Sequence, residues 1–392
     1  MEAVAFVNLL HESLARATPG RKRQILRVSD ASDYSAVAQA VRDAKKHSAR
    51  LAELRPLPLA RAFAYAGALP PEWVRRFGGA LTIEEDVPLS VHALPSSVHA
   101  LPSSVPPKSA LGGSSRKPFV PSNLRLLRVP TVWKRSLGER VKIGIIDTGI
   151  DYTHPDLQGA ISHGTNLIHP RTLPYDDNGH GTHVAGTIAA TGRFAMTGIA
   201  PRAELLPVKA FDHNGSAYVS DIIKGIDWCV HNGVDIINMS FGMKKRSEAM
   251  LEAVVNARRA GVVIVASSGN DGQSGEIDYP ARFPQTISVG ALDLQGRVAA
   301  FSNRGKRIDV YAPGENILST WPKFRYHQMN GTSMATSHVT GILALVLAER
   351  PRLTPSQLKT LVAEAQVPLR GKTKKARYPG RIDALRAFRA LR

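Results

Sequence analysis

The chain has 392 residues, 43% of them apolar, which is long enough for more than one domain and too apolar for a disordered protein. Its formal charge of +19 raises nucleic acid or a membrane surface as partners. No zinc-finger spacing, aromatic–basic RNA-binding signature, heptad run or ~18-residue apolar span supports either, so a solvated basic surface is expected, with no nucleic-acid and no membrane partner.

The N-terminal stretch MEAVAFVNLLHESLARATPGRKRQ lacks a basic start ahead of an apolar run, and charges interrupt it early. It does not read as a secretory signal. The expected location is the cytoplasm or the outside by a non-classical route, with ordinary extracellular placement as the alternative. Across residues 1–90, RQILRVS, YSAVAQAVRDAKKHSARLAEL and RFGGALTIEEDVPL predict a small α+β unit. Residues 90–117 read SVHALPSSVHALPSSVPPKSALGGSSRK, with the unit VHALPSS twice in tandem. Pro, Ser and Gly dominate it, so a flexible linker is expected over 91–118.

Beyond the linker, over 119–392, VKIGIID, AELLPVKAF, VDIINMSFG, VVIVASSGN and TISVGAL are short, β-branched and apolar throughout. Such runs are strands buried on both faces, as in a parallel sheet. GTHVAGTIAA, VSDIIKGIDWCVHNG and SEAMLEAVVNARRAG have helical spacing between them. The alternation predicts a three-layer, doubly wound α/β domain with a mainly parallel sheet, whose chemistry belongs at the carboxyl ends of the strands. The single cysteine, Cys229, falls in a helical pattern and is expected to be a small core residue. With one cysteine no internal disulfide forms, and the redox compartment is left open.

Four residues fall where chemistry is expected. Asp147 closes the strand VKIGIID. His183 lies at the start of the helix in DDNGHGTHVAGT. Asn270 follows the strand VVIVASSGN, and Ser333 opens the apolar helix SMATSHVTGILALVLAE. Asp147, Asn270 and Ser333 each have an ordinary structural explanation, a turn, a turn and an N-cap respectively. A metal reading for His180 and His183, three residues apart, lacks a third ligand at a suitable spacing. Together the four make a set. A serine needs a base, histidine can be that base near neutrality, a carboxylate must orient the imidazole, and an amide can hold an oxyanion.

In order and content, IIDTGID, HGTHVAGT, ASSGN and GTSMATSHVTG resemble the subtilisin family of serine proteases. The resemblance runs over about 120–370 and implies Asp147 as orienting acid, His183 as general acid and base, Ser333 as nucleophile and Asn270 as side-chain oxyanion donor. It implies protein or peptide substrates and a monomer. It also implies a substrate groove edged by Gly215 and Ser216 on one side and Ser240, Phe241 and Gly242 on the other. Ser267, Ser268 and Gly269 would wall the pocket for the residue before the scissile bond. Asp278 would sit at its floor, where a carboxylate would favour Lys or Arg. No cofactor is needed for the chemistry. The resemblance also raises structural calcium: Asp156 matches a family ligand, but the partner loop TGRFAMTG lacks an Asn and carries Arg193.

RRFGGALTIEEDVPL resembles, more weakly, the end of the family's pro-domain. Residues 1–90 would then fold the protease and plug its groove, with the processing site in the linker. An unrelated binding domain on a tether is the alternative. Three other readings fit less well. A catalytically dead scaffold would need a missing catalytic residue. A nucleic-acid binder would show salt-sensitive retention on DNA. A lipase would carry G-x-S-x-G with its triad in another order.

Overall fold

The computed structural model describes residues 3–16, 23–46, 48, 51, 54–67, 79–92, 118–369 and 379–391. They form two compact units. The first gathers the described residues up to Pro88 with the segments Tyr218–Trp228 and Lys245–Ala257. Its strands β1 (Arg23–Val28), β2 (Arg55–Leu57), β3 (Ala62–Ala66) and β4 (Leu81–Glu85) make an antiparallel sheet in the order β2-β3-β1-β4. Helices α1 (Ala3–Arg16) and α2 (Ala31–Lys45) supply Phe6, Leu10, Val37 and Val41 to a core shared with Leu26 and Phe63. The Asp30 carboxylate caps α2 by accepting from the Ser32 and Asp33 backbone N–H groups.

Charge ties this sheet to its two companion segments. The Glu84 carboxylate accepts from Ser247 Oγ at 2.6 Å and from the Glu248 and Ala249 N–H groups at 2.9 and 3.1 Å. It thus caps the start of a helix, where free N–H groups favour an anion. Arg27 pairs with the buried Glu252 at 2.9 Å, and Asp86 accepts from Ser220 N at 2.9 Å.

The second unit is built on nine strands. After β5 (Pro88–Val91) these are β6 (Lys142–Asp147), β7 (Thr165–Asn166), β8 (Glu204–Lys209), β10 (Ile236–Met239), β12 (Val263–Ser267), β13 (Ile287–Leu292), β14 (Val310–Pro313), β17 (Gln366–Val367) and β18 (Arg381–Ile382), in the order β17-β18-β14-β13-β12-β10-β6-β8-β7. All pairings are parallel except β17 with β18. The predicted strand runs are these strands, and they are buried because helices cover the sheet. Short strands β9 (Ser216–Tyr218) and β11 (Phe241–Gly242) flank β5, and β15 (Ile317–Trp321) pairs with β16 (Arg325–Met329) as a hairpin.

Helices α3 (Ser122–Leu126), α4 (His180–Ala189), α5 (Val219–His231), α6 (Glu248–Arg259), α7 (Thr332–Glu349), α8 (Pro355–Glu364) and α9 (Ala384–Arg389) complete the fold. The run TSMATSHVTGILALVL of α7 is buried residue by residue. A helix without a polar face belongs inside a core, and α7 packs against β10, β12, β13 and β14. The fold is the expected three-layer α/β arrangement. Cys229 is a buried core residue, and its Sγ occupies the space a Cβ on Gly144 would need.

One boundary moves. Val91 lies in β5 and His92 is buried, so the expected linker does not begin at 91. Residues 93–117, with the rest of the tandem repeat, and most of the basic run at 370–378 lie outside the described residues. Among the described residues no helix is long and apolar enough to cross a membrane.

Candidate active site

Parallel strands deliver side chains to one edge of the sheet, and Asp147 is the last residue of β6. Its carboxylate is fully buried. Oδ1 accepts from Thr148 N at 2.8 Å and lies 2.7 Å from Nδ1 of His180. His180 is the first residue of α4, and its start is fixed by a second buried carboxylate, Asp176. Asp176 accepts from Gly179 N at 2.8 Å, Thr182 N at 2.8 Å, Thr182 Oγ1 at 2.6 Å and Thr148 Oγ1 at 2.8 Å. One group therefore holds both the turn after Asp147 and the turn that presents His180. Gly181 permits the approach, because a Cβ there would stand 2.0 Å from the Gly149 carbonyl oxygen.

The histidine on Asp147 is thus His180, and the expected role of His183 is corrected. Three residues along a helix is nearly one turn, which carries His183 past the strand end and into the core. Its Nε2–H donates to the carbonyls of Ile317 at 2.9 Å and His327 at 3.1 Å, tying the helix to the β15–β16 hairpin. Burial pushes its pKa down to about 3, so the ring is neutral. Being committed as a donor there, His183 cannot receive a serine proton at that nitrogen. His180, by contrast, has its Nδ1–H on a carboxylate and no hydrogen bond at Nε2. That tautomer leaves a lone pair at Nε2.

Ser333 is the second residue of α7, where a backbone N–H has no intrahelical acceptor. Its hydroxyl lies 2.7 Å from the His92 carbonyl oxygen and 2.9 Å from that of Ser240. Asn270 follows β12. Its Oδ1 accepts from Thr332 N at 2.9 Å and Thr332 Oγ1 at 2.8 Å. These contacts fix the amide beside the N-terminus of α7, and its buried Nδ2 has no hydrogen-bond partner. A buried, aimed and unpaired donor costs stability and is kept where it serves chemistry. Asn270→Ala should therefore lower kcat by about 10²–10³ with little change in KM in peptide assays, the magnitude being that of removing such a donor in subtilisin itself.

The groove residues also come together. Strand β5 pairs antiparallel with β11, Phe241 facing Val91 and Gly242 facing Ser90. On the other edge Val91 N donates to Gly215 O at 3.1 Å, while His92 N donates to Ser240 O at 3.0 Å. Ser216 is held by Asp212 through its own N–H. Residues 89–92 thus lie as an added strand. The His92 ring enters a pocket formed by Ser267, Gly242, Gly269 and Asp278. Ser268 holds its far end by accepting from Asp278 N at 3.0 Å. Sequence reasoning missed His92, Asp176 and His180. For His180 a signal existed, since it is the first residue of its helix and so stands nearest the strand ends.

Asp156 does not fit a cation. Its carboxylate accepts from the N–H groups of Phe194 at 2.7 Å, Ala195 at 3.0 Å and Met196 at 2.9 Å, and from Tyr326 Oη at 2.6 Å. Calcium is held by converging oxygens, whereas here donors converge on the anion. The partner loop turns its N–H groups toward the carboxylate. Among the described residues no cluster of three or more His, Cys, Asp or Glu could hold a metal ion.

An acid on an imidazole, a serine at a helix start and a free amide, all on one edge of a doubly wound sheet, define an α/β protein with the parts for nucleophilic acyl transfer. The chain belongs to the subtilase family, whose model matches residues 138–381. It is 43% identical over 246 residues to subtilisin E of Bacillus subtilis (strain 168), a match covering 61% of this chain and 64% of that protein. It thus spans just under two thirds of that relative's length. Subtilisin of Bacillus pumilus is 42% identical over 246 residues, with 89% of it covered. Subtilisin Savinase of Lederbergia lenta is 43% identical over 242 residues, with 88% covered.

Proposed function

We propose that the protein is a serine endopeptidase, made as a zymogen that cuts itself after His92. Asp147 orients His180 and stabilises its cation. His180 Nε2 takes the proton of Ser333 Oγ as that oxygen attacks the peptide carbonyl carbon. The oxyanion is held by Asn270 Nδ2 and the Ser333 N–H. His180 then passes the proton to the leaving amine, and water releases the acyl group by the same steps in reverse. The chemistry requires no cofactor.

The observation that carries this reading is the position of residues 89–92. They pair as a strand along the groove, and the His92 carbonyl oxygen stands 2.7 Å from Ser333 Oγ. A peptide so placed is a substrate or its product, and the next bond is His92–Ala93. The similarity to named subtilisins supports the same class of reaction. Residues 89–92 are then the enzyme's own first substrate and the occupant of its groove.

Intact mass of the purified chain beside Ser333→Ala tests it. The wild type should lose residues 1–92 in one step, and the variant should stay full length. A wild type that stays intact, or a Ser333→Ala chain that is cut at the same bond, would overturn self-processing.

A further inference from the structure

The pocket that receives His92 has a chemistry of its own. Both ring nitrogens are engaged: Nδ1 lies 2.7 Å from Ser267 Oγ, and Nε2 lies 2.9 Å from Asp278 Oδ2. All three side chains are buried. The ring packs close against Gly242, since a Cβ there would meet its Cε1 at 2.4 Å and its Nε2 at 2.7 Å. On the far wall a Cβ on Gly269 would meet the Asp278 carboxyl group at 2.8 Å. The slot is therefore tight at Gly242 and closed by an anion at imidazole length.

The other carboxylate oxygen is already taken. Lys244 Nζ pairs with Asp278 Oδ1 at 2.7 Å, and the same ammonium also pairs with Asp271. This bears on the expectation that Asp278 favours Lys or Arg. A long cationic side chain would meet a carboxylate that has a cation already and stands too close for its length. A phenyl ring would fit the slot but would leave Asp278 Oδ2 buried without the partner that His92 supplies. That penalty is large in a site built for hydrogen bonds. An imidazole satisfies both groups in either protonation state. When neutral, Nε2–H donates to Asp278 and Nδ1 accepts from the Ser267 hydroxyl. When charged, Nδ1–H donates to Ser267 Oγ, which can turn its proton to Met239 O at 3.5 Å.

We infer that the enzyme selects histidine before the scissile bond, through Asp278 and Ser267, in substrates as well as in its own chain. This rests on the serine-endopeptidase reading. The sequence agrees with it in one respect: the tandem unit VHALPSS places a second histidine, His99, in the same local context seven residues on.

The test uses the purified full chain and three peptides in excess, Pro-Leu-Ser-Val-His-Ala-Leu-Pro and its forms with Arg or Phe in place of His. The His peptide should show a kcat/KM about 10–100-fold above either other peptide, the value of a charge-assisted hydrogen bond. Asp278→Asn, which keeps the shape, should bring the three within a few fold of one another. Ser267→Ala should narrow the gap by less. If the Arg or Phe peptide is cut fastest by the wild type, or if Asp278→Asn keeps the His preference, the inference falls while the peptidase reading stands. If none of the three is cut, the peptidase reading fails and takes this one with it. The ranking within the wild type decides the matter even where a variant fails to fold.

Discussion

His180→Ala is expected to lower kcat by about 10⁴–10⁶ in a peptide assay, a magnitude carried over from removal of triad members in subtilisin. His183→Ala should behave differently. The argument is one of geometry and charge. Only His180 has Nδ1 on the Asp147 carboxylate and an unengaged Nε2. His183 spends its Nε2–H on two carbonyls, and burial keeps it neutral. Removing His183 takes a donor away from those carbonyls and opens a cavity. The expected loss is about 1–3 kcal/mol of stability, seen in denaturant unfolding, with kcat retained within about tenfold. The opposite pattern, an active His180→Ala beside an inactive but stable His183→Ala, would overturn the assignment. Both histidines lie in one helix three residues apart, so activity and unfolding must be measured on each variant.

That pair also shows where sequence reasoning reached its limit. The order of motifs fixed the sheet, the strand ends and the helix starts, because buried parallel strands and apolar helices leave strong patterns. Asp147, Asn270 and Ser333 each sit at such an end and were legible from it. HGTHVAGT contains two histidines, and the pattern does not say which one faces the strand end. The choice depends on where the helix begins to within one residue, and helix boundaries are the least readable feature of a sequence. Here the boundary is set by Asp176, which lies outside the motif and binds backbone N–H groups on both sides of the turn. His92 was illegible for another reason. VHALPSS has the composition of a linker, and only the tertiary pairing of 89–91 with the groove makes a strand of its first residue. The pocket chemistry around Asp278 likewise depends on Lys244, 34 positions away in sequence.

The second large effect is on stability and concerns Asp156. Asp156→Ala should lower stability by about 3–5 kcal/mol, roughly 6–15 °C in the unfolding midpoint of a unit this size. Four donors converge on this one carboxylate, three from consecutive backbone N–H groups of residues 194–196 and one from Tyr326. Hydrogen bonds to a charged acceptor are worth more than neutral ones, and the Met196 N–H is buried, so losing the acceptor leaves it unsatisfied. Burial and the neighbouring carboxylate both push the Tyr326 hydroxyl up, so it remains a proton donor at any ordinary pH. The anion thus does internally what a bound cation would otherwise do, which is to pin the loop to the 153–158 turn. A calcium ion at this carboxylate would have to displace the N–H groups and turn the loop carbonyls inward. The gap between wild type and Asp156→Ala should therefore be the same in millimolar calcium and in excess chelator, measured by thermal unfolding with processing blocked by Ser333→Ala in both chains. A gap that closes in chelator would show that the carboxylate stabilises the loop through the metal, and the donor-lined geometry would not be the working one.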